Sequence, residues 1–342
     1  MTSMETASAE SQRLSGPTID MCSWLHPWDR RALEEFREGG VSCVGVTCTT
    51  WEGSRETIRK ISELYDLVRD NSDIAMLVRE PGDVLLAADS NRLGIMLHFQ
   101  NTSAFDDDIR LVQVFKALGV HVVQLTYNTQ NSIGSGCYER VDSGLSEFGR
   151  SLVRELNECH VLVDVSHCGD QTTLDAIDAS SAPVVVTHAN VKRLAPKTRN
   201  KTDEICRAIA SNGGVIGVAT YSSLLPRGAE TTLAEFCDLV DGTVELVGVE
   251  HVGLGTDYYR GMPPEMVLGW CTGRWSRSVP AHMDLVDQGW NGEIAPFPSW
   301  FTSPRDTPNV SRALAGRGYS TSDVSAIMGG NWLRVLGEVL AS

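Results

Sequence analysis

The chain has 342 residues, 42% hydrophobic and 21% charged, which is room for one large α/β barrel (typically about 250 residues) or for two ordinary domains. Its 44 acidic side chains against 29 basic ones give a formal net charge of −15, a field that repels phosphate backbones and argues against a nucleic-acid partner. No apolar run approaches the roughly 20 residues that span a bilayer, and no basic start followed by an apolar core reads as a signal peptide. Nine cysteines are scattered without a CxxC pair, which fits reduced thiols and an expected cytoplasmic location better than a disulfide framework.

In chain order, Met1 to Gly16 is polar and rich in small residues, and reads as a flexible tail. Residues 17–342 read as one domain. Eight short, mostly β-branched runs follow: Thr18–Cys22, Ser42–Cys48, Leu93–Gln100, Val120–Thr126, Val161–His167, Pro183–His188, Val215–Thr220 and His251–Asp257. Near-continuous apolar runs of this kind suit strands buried on both faces of a parallel sheet. Helical stripes alternate with them. Arg55–Asp70 carries Ile58, Ile61, Leu64, Tyr65 and Val68; Asp107–Leu118 and Ser146–Glu158 follow; Thr202 is placed to cap a helix that stops at Gly213-Gly214; Leu233–Val247 and a final helix over Thr321–Leu340 complete the set. Eight βα alternations predict a closed (β/α)₈ TIM barrel, and the absence of a GxGxxG after the first strand removes the main support for a dinucleotide fold. The segment 261–307, rich in Pro, Gly and Trp, reads as a long excursion over the active site.

In such a barrel the chemistry sits at the C-terminal ends of the strands. The ends here read Asp20-Met-Cys22-Ser-Trp24, His98-Phe-Gln100-Asn101, Thr126-Tyr127-Asn128, Asp164-Val-Ser-His167, Thr187-His188 and Gly255-Thr-Asp257. Two histidines closing adjacent strands, with an aspartate closing the last, form a plausible metal site: imidazoles bind Zn²⁺, and a nearby carboxylate can take a proton. Any one of these histidines alone would more simply satisfy a local hydrogen bond. His121, His160 and His251 fall at strand starts, on the stability face. His26 and His282 fall in loops, and the loop residues Trp24, Trp28, Trp51, Trp270, Trp275 and Trp290 are candidates to wall a substrate pocket.

Several runs, in one order, resemble the membrane-dipeptidase (renal dipeptidase-like) family: Gly144-Leu-Ser-Glu-Phe-Gly149, Leu162-Val-Asp-Val-Ser-His167, Thr187-His188-Ala-Asn190, Arg199-Asn200-Lys-Thr-Asp203, Asn212-Gly-Gly-Val-Ile-Gly217, Val247 to Asp257, and Gly329-Gly-Asn331-Trp-Leu-Arg334. The resemblance spans nearly the whole chain after the tail. It implies a metal-dependent barrel hydrolase of the amidohydrolase type, usually a homodimer with two zinc ions. Residue by residue, it implies that His167 and His188 hold the second metal ion, that Asp257 handles the proton, and that Arg199 binds the substrate carboxylate, for which a planar fork is suited. Tyr127 and Asn128, after the fourth strand, are candidate substrate contacts.

The departures lie at the first metal. The family's Asp-Gly-His-x-Asp reads Asp20-Met21-Cys22-Ser23-Trp24 here, its bridging glutamate falls on Gln100, and its histidine after the fourth strand falls on Tyr127. Three replacements stand open. Cys22 could supply a thiolate or be a small buried apolar residue. His98 shares the inward face with Gln100 and could reach a metal or sit in the core. Glu139 could bring a carboxylate over the site or be a solvated loop charge. The expectation is one zinc per chain on His167 and His188, completed by Gln100, Asp257 or water, with Asp257 as the base for hydrolysis of an amide or dipeptide-like bond in a small carboxylate-bearing substrate. A non-hydrolytic lyase or isomerase on the same scaffold and a metal-free binding protein are the rivals.

Overall fold

Eight parallel strands close on themselves in the computed structural model, which describes residues 16–25, 27–272 and 296–340. The strands are β1 (Ile19–Ser23), β2 (Cys43–Thr49), β4 (Leu93–Phe99), β5 (Val120–Gln124), β6 (Leu162–Asp164), β7 (Val184–Val185), β8 (Ile216–Val218) and β9 (Val252–Leu254), in the order β7-β6-β5-β4-β2-β1-β9-β8. A parallel bridge between Val186 and Ile216 joins the two ends, with Gly217 N donating to Val186 O at 2.7 Å. The predicted TIM barrel is therefore present, and every predicted strand forms. An additional short strand, β3 (Ala75–Leu77), pairs outside β4.

The predicted helices form at Ser54–Asp70, Glu147–Glu158, Asp203–Ser211 and Leu233–Val247, the middle two with Ser146 and Thr202 as side-chain N-caps. Two differ from expectation. The helix predicted over Asp107–Leu118 begins only at Leu111, because the left-handed backbone of Asp106 and Asp107 precedes it and Asp108 binds the backbone and guanidinium of Arg110. The last helix is interrupted: Thr321–Ser325 and Asn331–Leu340 flank a kinked turn at Ala326–Gly330. At Gly329 the chain passes so close to Pro17 that a Cβ would lie 2.1 Å from its carbonyl oxygen. Further helices at Arg30–Glu38, Pro81–Asp89 and Asp170–Ala179 complete the outer layer; Pro264–Thr272 lies within the predicted excursion, and Thr307–Gly316 follows at its end. The expected tail up to Gly16, along with His26, Trp275, His282 and Trp290, lies outside the described residues, apart from Gly16 itself.

The helix Asn331–Leu340 packs against residues of the inner barrel. Trp332, fully buried, clusters with Ile19, Met21, Cys43, Met96, Val122, Leu162 and Val185, and its indole N–H donates to Leu254 O at 3.0 Å. Asn331 supplies its amide N–H groups to Val249 O and Val252 O, and Arg334 reaches Gly213 O. The Gly-Gly-Asn-Trp-Leu-Arg run that carries part of the resemblance is thus structural: it ties the C-terminal helix to the last two strands. It makes room by glycine, since a Cβ on Gly253 would lie 2.3 Å from the Trp332 ring nitrogen. Trp332→Ala is expected to cost about 3–5 kcal/mol of stability, read as a lowered denaturant midpoint. A loss below about 1 kcal/mol would show that the ring is not the packing centre described.

Candidate active site

Strand ends β6 and β7 bring two imidazoles together. His167 Nε2 lies 3.0 Å from His188 Nε2. The protons on the other ring nitrogens are fixed by their partners. His167 Nδ1 faces Asn128 Oδ1 at 2.6 Å, an acceptor, so Nδ1 carries the hydrogen. His188 Nδ1 faces Thr187 Oγ1 at 2.8 Å, and that hydroxyl already donates to Asp164 Oδ2 at 2.6 Å, so here too Nδ1 donates. Both Nε2 atoms therefore present lone pairs to each other. Burial and, next, the Arg199 charge push both imidazoles well below their ordinary pKa, so a shared proton is disfavoured. A metal ion resolves the repulsion: two nitrogens about 2.0 Å from one tetrahedral zinc sit roughly 3.3 Å apart, a few tenths of an ångström from what is seen. The donor set fits a metal.

Asp164, at the end of β6, clamps this arrangement and was not singled out from the sequence. Its carboxylate, fully buried, accepts from Ser166 N at 2.8 Å, Thr187 N at 3.1 Å and the hydroxyls of Ser166 and Thr187. Ser166 Oγ in turn accepts from His188 N at 3.1 Å. Against the cost of burial, the His98 ring, the His188 ring beside it and the Ser166 bond hold Asp164 well below the usual carboxylate range. His98 has its Nε2 3.3 Å from Asp164 Oδ2 and is fully buried. The structure thus places His98, one of the three possible replacement ligands, against the clamp, and it is not among the residues whose ligand atoms converge.

Cys22, His188 and Asp257 do converge: one ligand atom from each lies within 4.8 Å of the others. Main-chain pairing sets this up, with Asp257 N donating to Cys22 O at 2.9 Å and Trp24 N to Tyr258 O at 2.9 Å. Gln100, expected as a metal ligand, turns its amide nitrogen to Cys22 Sγ at 3.0 Å and Thr47 Oγ1 at 2.8 Å. Asp20 is buried one strand register inward and receives Thr256 N at 2.8 Å and the Thr256 hydroxyl. Burial pushes the Asp257 carboxyl up to about 7; the Arg199 charge opposes that rise, and Asp20 and Asp164 add to it. Asn128 and Asp257 both adopt left-handed backbone, φ 65° and 54°, a conformation rare for non-glycine residues and concentrated at functional sites. Glu139, the third possible ligand, instead accepts Gln130 N at 2.6 Å, holding the loop after β5.

Arg199 is buried beside the pocket but is engaged with main chain. It donates to Ser166 O and, at 2.9 Å, to His188 O, and its Nε has no hydrogen-bond partner among the described residues. The neighbouring Lys201, also buried, donates to Val165 O and Cys168 O at 2.8 Å each. Asn200 accepts Asn190 N and donates to Ala195 O and Leu224 O. The Arg-Asn-Lys run therefore braces both histidine loops from behind, while Arg199 alone also lines the cavity.

That cavity is walled by Trp24, Tyr127, Tyr138, Tyr221, Tyr259 and Trp270, together with His167, Arg199 and Asp257. Trp24 stacks on Trp270 at 3.7 Å between ring centroids, and Tyr127 stacks on His167 at 4.2 Å. Of the candidate wall residues, Trp24 and Trp270 line the cavity, Trp51 meets Tyr127 edge-on, and Trp28 packs against the core.

The clamp makes a prediction. Asp164→Asn puts an amide N–H against hydroxyl and backbone donors, so it is expected to cost roughly 3 kcal/mol at neutral pH. Because the folded pKa of Asp164 is depressed, its contribution is present above the unfolded carboxylate range near pH 4 and is lost as pH falls below it. The variant's stability should accordingly fall off less steeply with acid than the parent's. Parallel acid limbs in denaturation curves from about pH 5 to 2 would remove Asp164 from this role.

Residues 27–270 match the membrane dipeptidase family, peptidase family M19. A dipeptidase from Claviceps purpurea, tcpJ, is 27% identical over 339 residues, spanning 94% of this chain and 71% of that one. An amidohydrolase from Pseudomonas aeruginosa is 34% identical with a TM-score of 0.88, over 96% of this chain and 97% of the other. A metallo peptidase from Rhodobacter sphaeroides, liganded with a phosphinate mimic of the dipeptide L-Ala-D-Ala, shares the fold with a TM-score of 0.77 at 18% identity, over 94% and 99% of the two chains. With its barrel, its strand-end imidazoles and these relatives, the chain is a dipeptidase-like hydrolase and belongs to the membrane dipeptidase family, peptidase family M19.

Proposed function

We propose that this protein hydrolyses the amide bond of a small dipeptide-like substrate that bears a free carboxylate, using one zinc ion per chain on His167 and His188. The observation that carries the reading is the pair of Nε2 lone pairs facing each other at 3.0 Å, with both Nδ1 hydrogens committed elsewhere. An ion there would supply Lewis acidity toward the scissile carbonyl and water. The chain's own residues do the rest. Asp257, projected into the cavity, takes a proton from the attacking water and returns it to the leaving amine. Arg199, which lines the cavity, supplies the positive charge that holds the substrate carboxylate. Tyr127 packs on the His167 ring, and Asn128 orients that ring as well as lining the cavity. The tyrosine and tryptophan walls exclude water and favour a bulky apolar or aromatic side chain on the substrate. The family resemblance supports a homodimer, and nine scattered cysteines without a CxxC pair support a reducing cytoplasm.

A dipeptide panel tests this. Dipeptides with an aromatic residue and a free C-terminal carboxylate should be cleaved. Chelation should abolish activity, zinc should restore it, and His188→Ala should lose it. Capping the C-terminus as an amide should lower kcat/KM about 100-fold, some 2.7 kcal/mol of lost charge-assisted bonding. This substrate change is cleaner than Arg199→Lys, which would also release Ser166 O and His188 O. Equal rates on capped and free substrates would remove the carboxylate from the reading. No cleavage of any member by zinc-loaded protein would overturn the hydrolytic assignment to this substrate class.

A further inference from the structure

The residues that depart from the family at the first metal fit one another. Cys22 stands where the resemblance expects a histidine, and Gln100 where it expects a bridging glutamate. In the structure the two are in contact, Gln100 Nε2 lying 3.0 Å from Cys22 Sγ. A carboxylate at position 100 would sit against the sulfur and repel a thiolate. An amide N–H instead donates to it, as an outer partner does to a metal-bound ligand. Position 24, the other expected ligand of that site, is a tryptophan stacked on Trp270 and offers no metal ligand. Besides the Thr47 hydroxyl at 4.0 Å, the sulfur has His188 and Asp257 near it, whose ligand atoms lie within 4.8 Å of it and of each other. Three strand ends, β1, β7 and β9, supply this triangle, and the Asp257 N to Cys22 O bond fixes the spacing of two of its corners.

We propose that the metal centre is a rebuilt, thiolate-containing mononuclear site, with Cys22 Sγ, His188 Nε2 and His167 Nε2 as ligands, the fourth position open to water, and Asp257 beside it free to act as the base. This rests on the single-ion reading above and specifies its chemistry. A thiolate and two neutral imidazoles fill three corners of a tetrahedron and leave the fourth open, as a catalytic site needs, and the soft sulfur selects zinc, or cobalt and cadmium as probes, over magnesium and calcium. Binding forms the metal–sulfur bond and releases the thiol proton to solvent, so affinity rises with pH. Gln100 is then a positioning residue, not a ligand.

Zinc-edge X-ray absorption on the unaltered, zinc-loaded chain tests this without any variant. The expected result is one sulfur scatterer at about 2.3 Å among nitrogen and oxygen ligands. Cobalt-loaded protein should show a thiolate-to-cobalt charge-transfer band in the near ultraviolet, at one equivalent per chain. The band should vanish in Cys22→Ser while Cys48→Ser, a buried cysteine bonded to His98 O, retains it. Cys22→Ala should weaken zinc binding about tenfold or more, since even outer-shell changes have effects of that size. One bound metal with no sulfur scatterer and no charge-transfer band would overturn the thiolate proposal and leave the imidazole reading standing. Failure to bind zinc or cobalt at all would overturn both.

Discussion

Two buried imidazoles hold their Nε2 atoms 3.0 Å apart, and the rest of the site is arranged around that contact, which the proposed function fills with a cation. The ring orientations are not free. Asn128 fixes one, and the Thr187 hydroxyl fixes the other because its own hydrogen goes to Asp164. Asp164 in turn gathers the backbone of both histidine loops onto one carboxylate. Removing any member would free a ring to rotate and let the lone pairs part. The barrel supplies the platform for this at the ends of β6 and β7, and the arginine and lysine of the run after β7 hold the loop carbonyls from the other side. Buried charge here organises geometry, at a desolvation cost that the many hydrogen bonds offset.

The fold was legible in the sequence because the physics of a parallel barrel leaves a plain mark. Strands covered on both faces are continuous apolar runs, and all eight were visible as such. Strand β3 was not, because three residues on the outside of β4 carry no period. The helix Arg30–Glu38 is dominated by charged residues, with only Ala32, Leu33 and Phe36 as buried apolar contacts, so its stripe is faint. The interruption of the last helix depends on how closely Gly329 passes Pro17, a contact between the two ends of the described chain that no local pattern shows.

At the site, position along the strand found His167, His188 and Asp257, since strand ends are where a barrel keeps its chemistry, and the family resemblance added Arg199. What the sequence left open was which of Cys22, His98 and Glu139 approaches the metal. Each choice depends on partners far away in the chain. His98 is drawn to Asp164, and Glu139 to the backbone of its own loop. Cys22 is aligned with Asp257 by a main-chain bond across the barrel seam. Asp164 could have been suspected from its place three residues before His167, with a serine between and a threonine preceding the other histidine, a set of short hydroxyl donors around one acid. Arg199 shows the opposite lesson: the motif pointed to substrate, and most of its visible bonds are to protein.

On the proposed function one ion, and only one, belongs between these imidazoles. Elemental analysis of the chain purified without chelators tests this most directly. One zinc per chain is expected, falling to none in both His167→Ala and His188→Ala. Two equivalents per chain, or a fully active protein containing none, would contradict it.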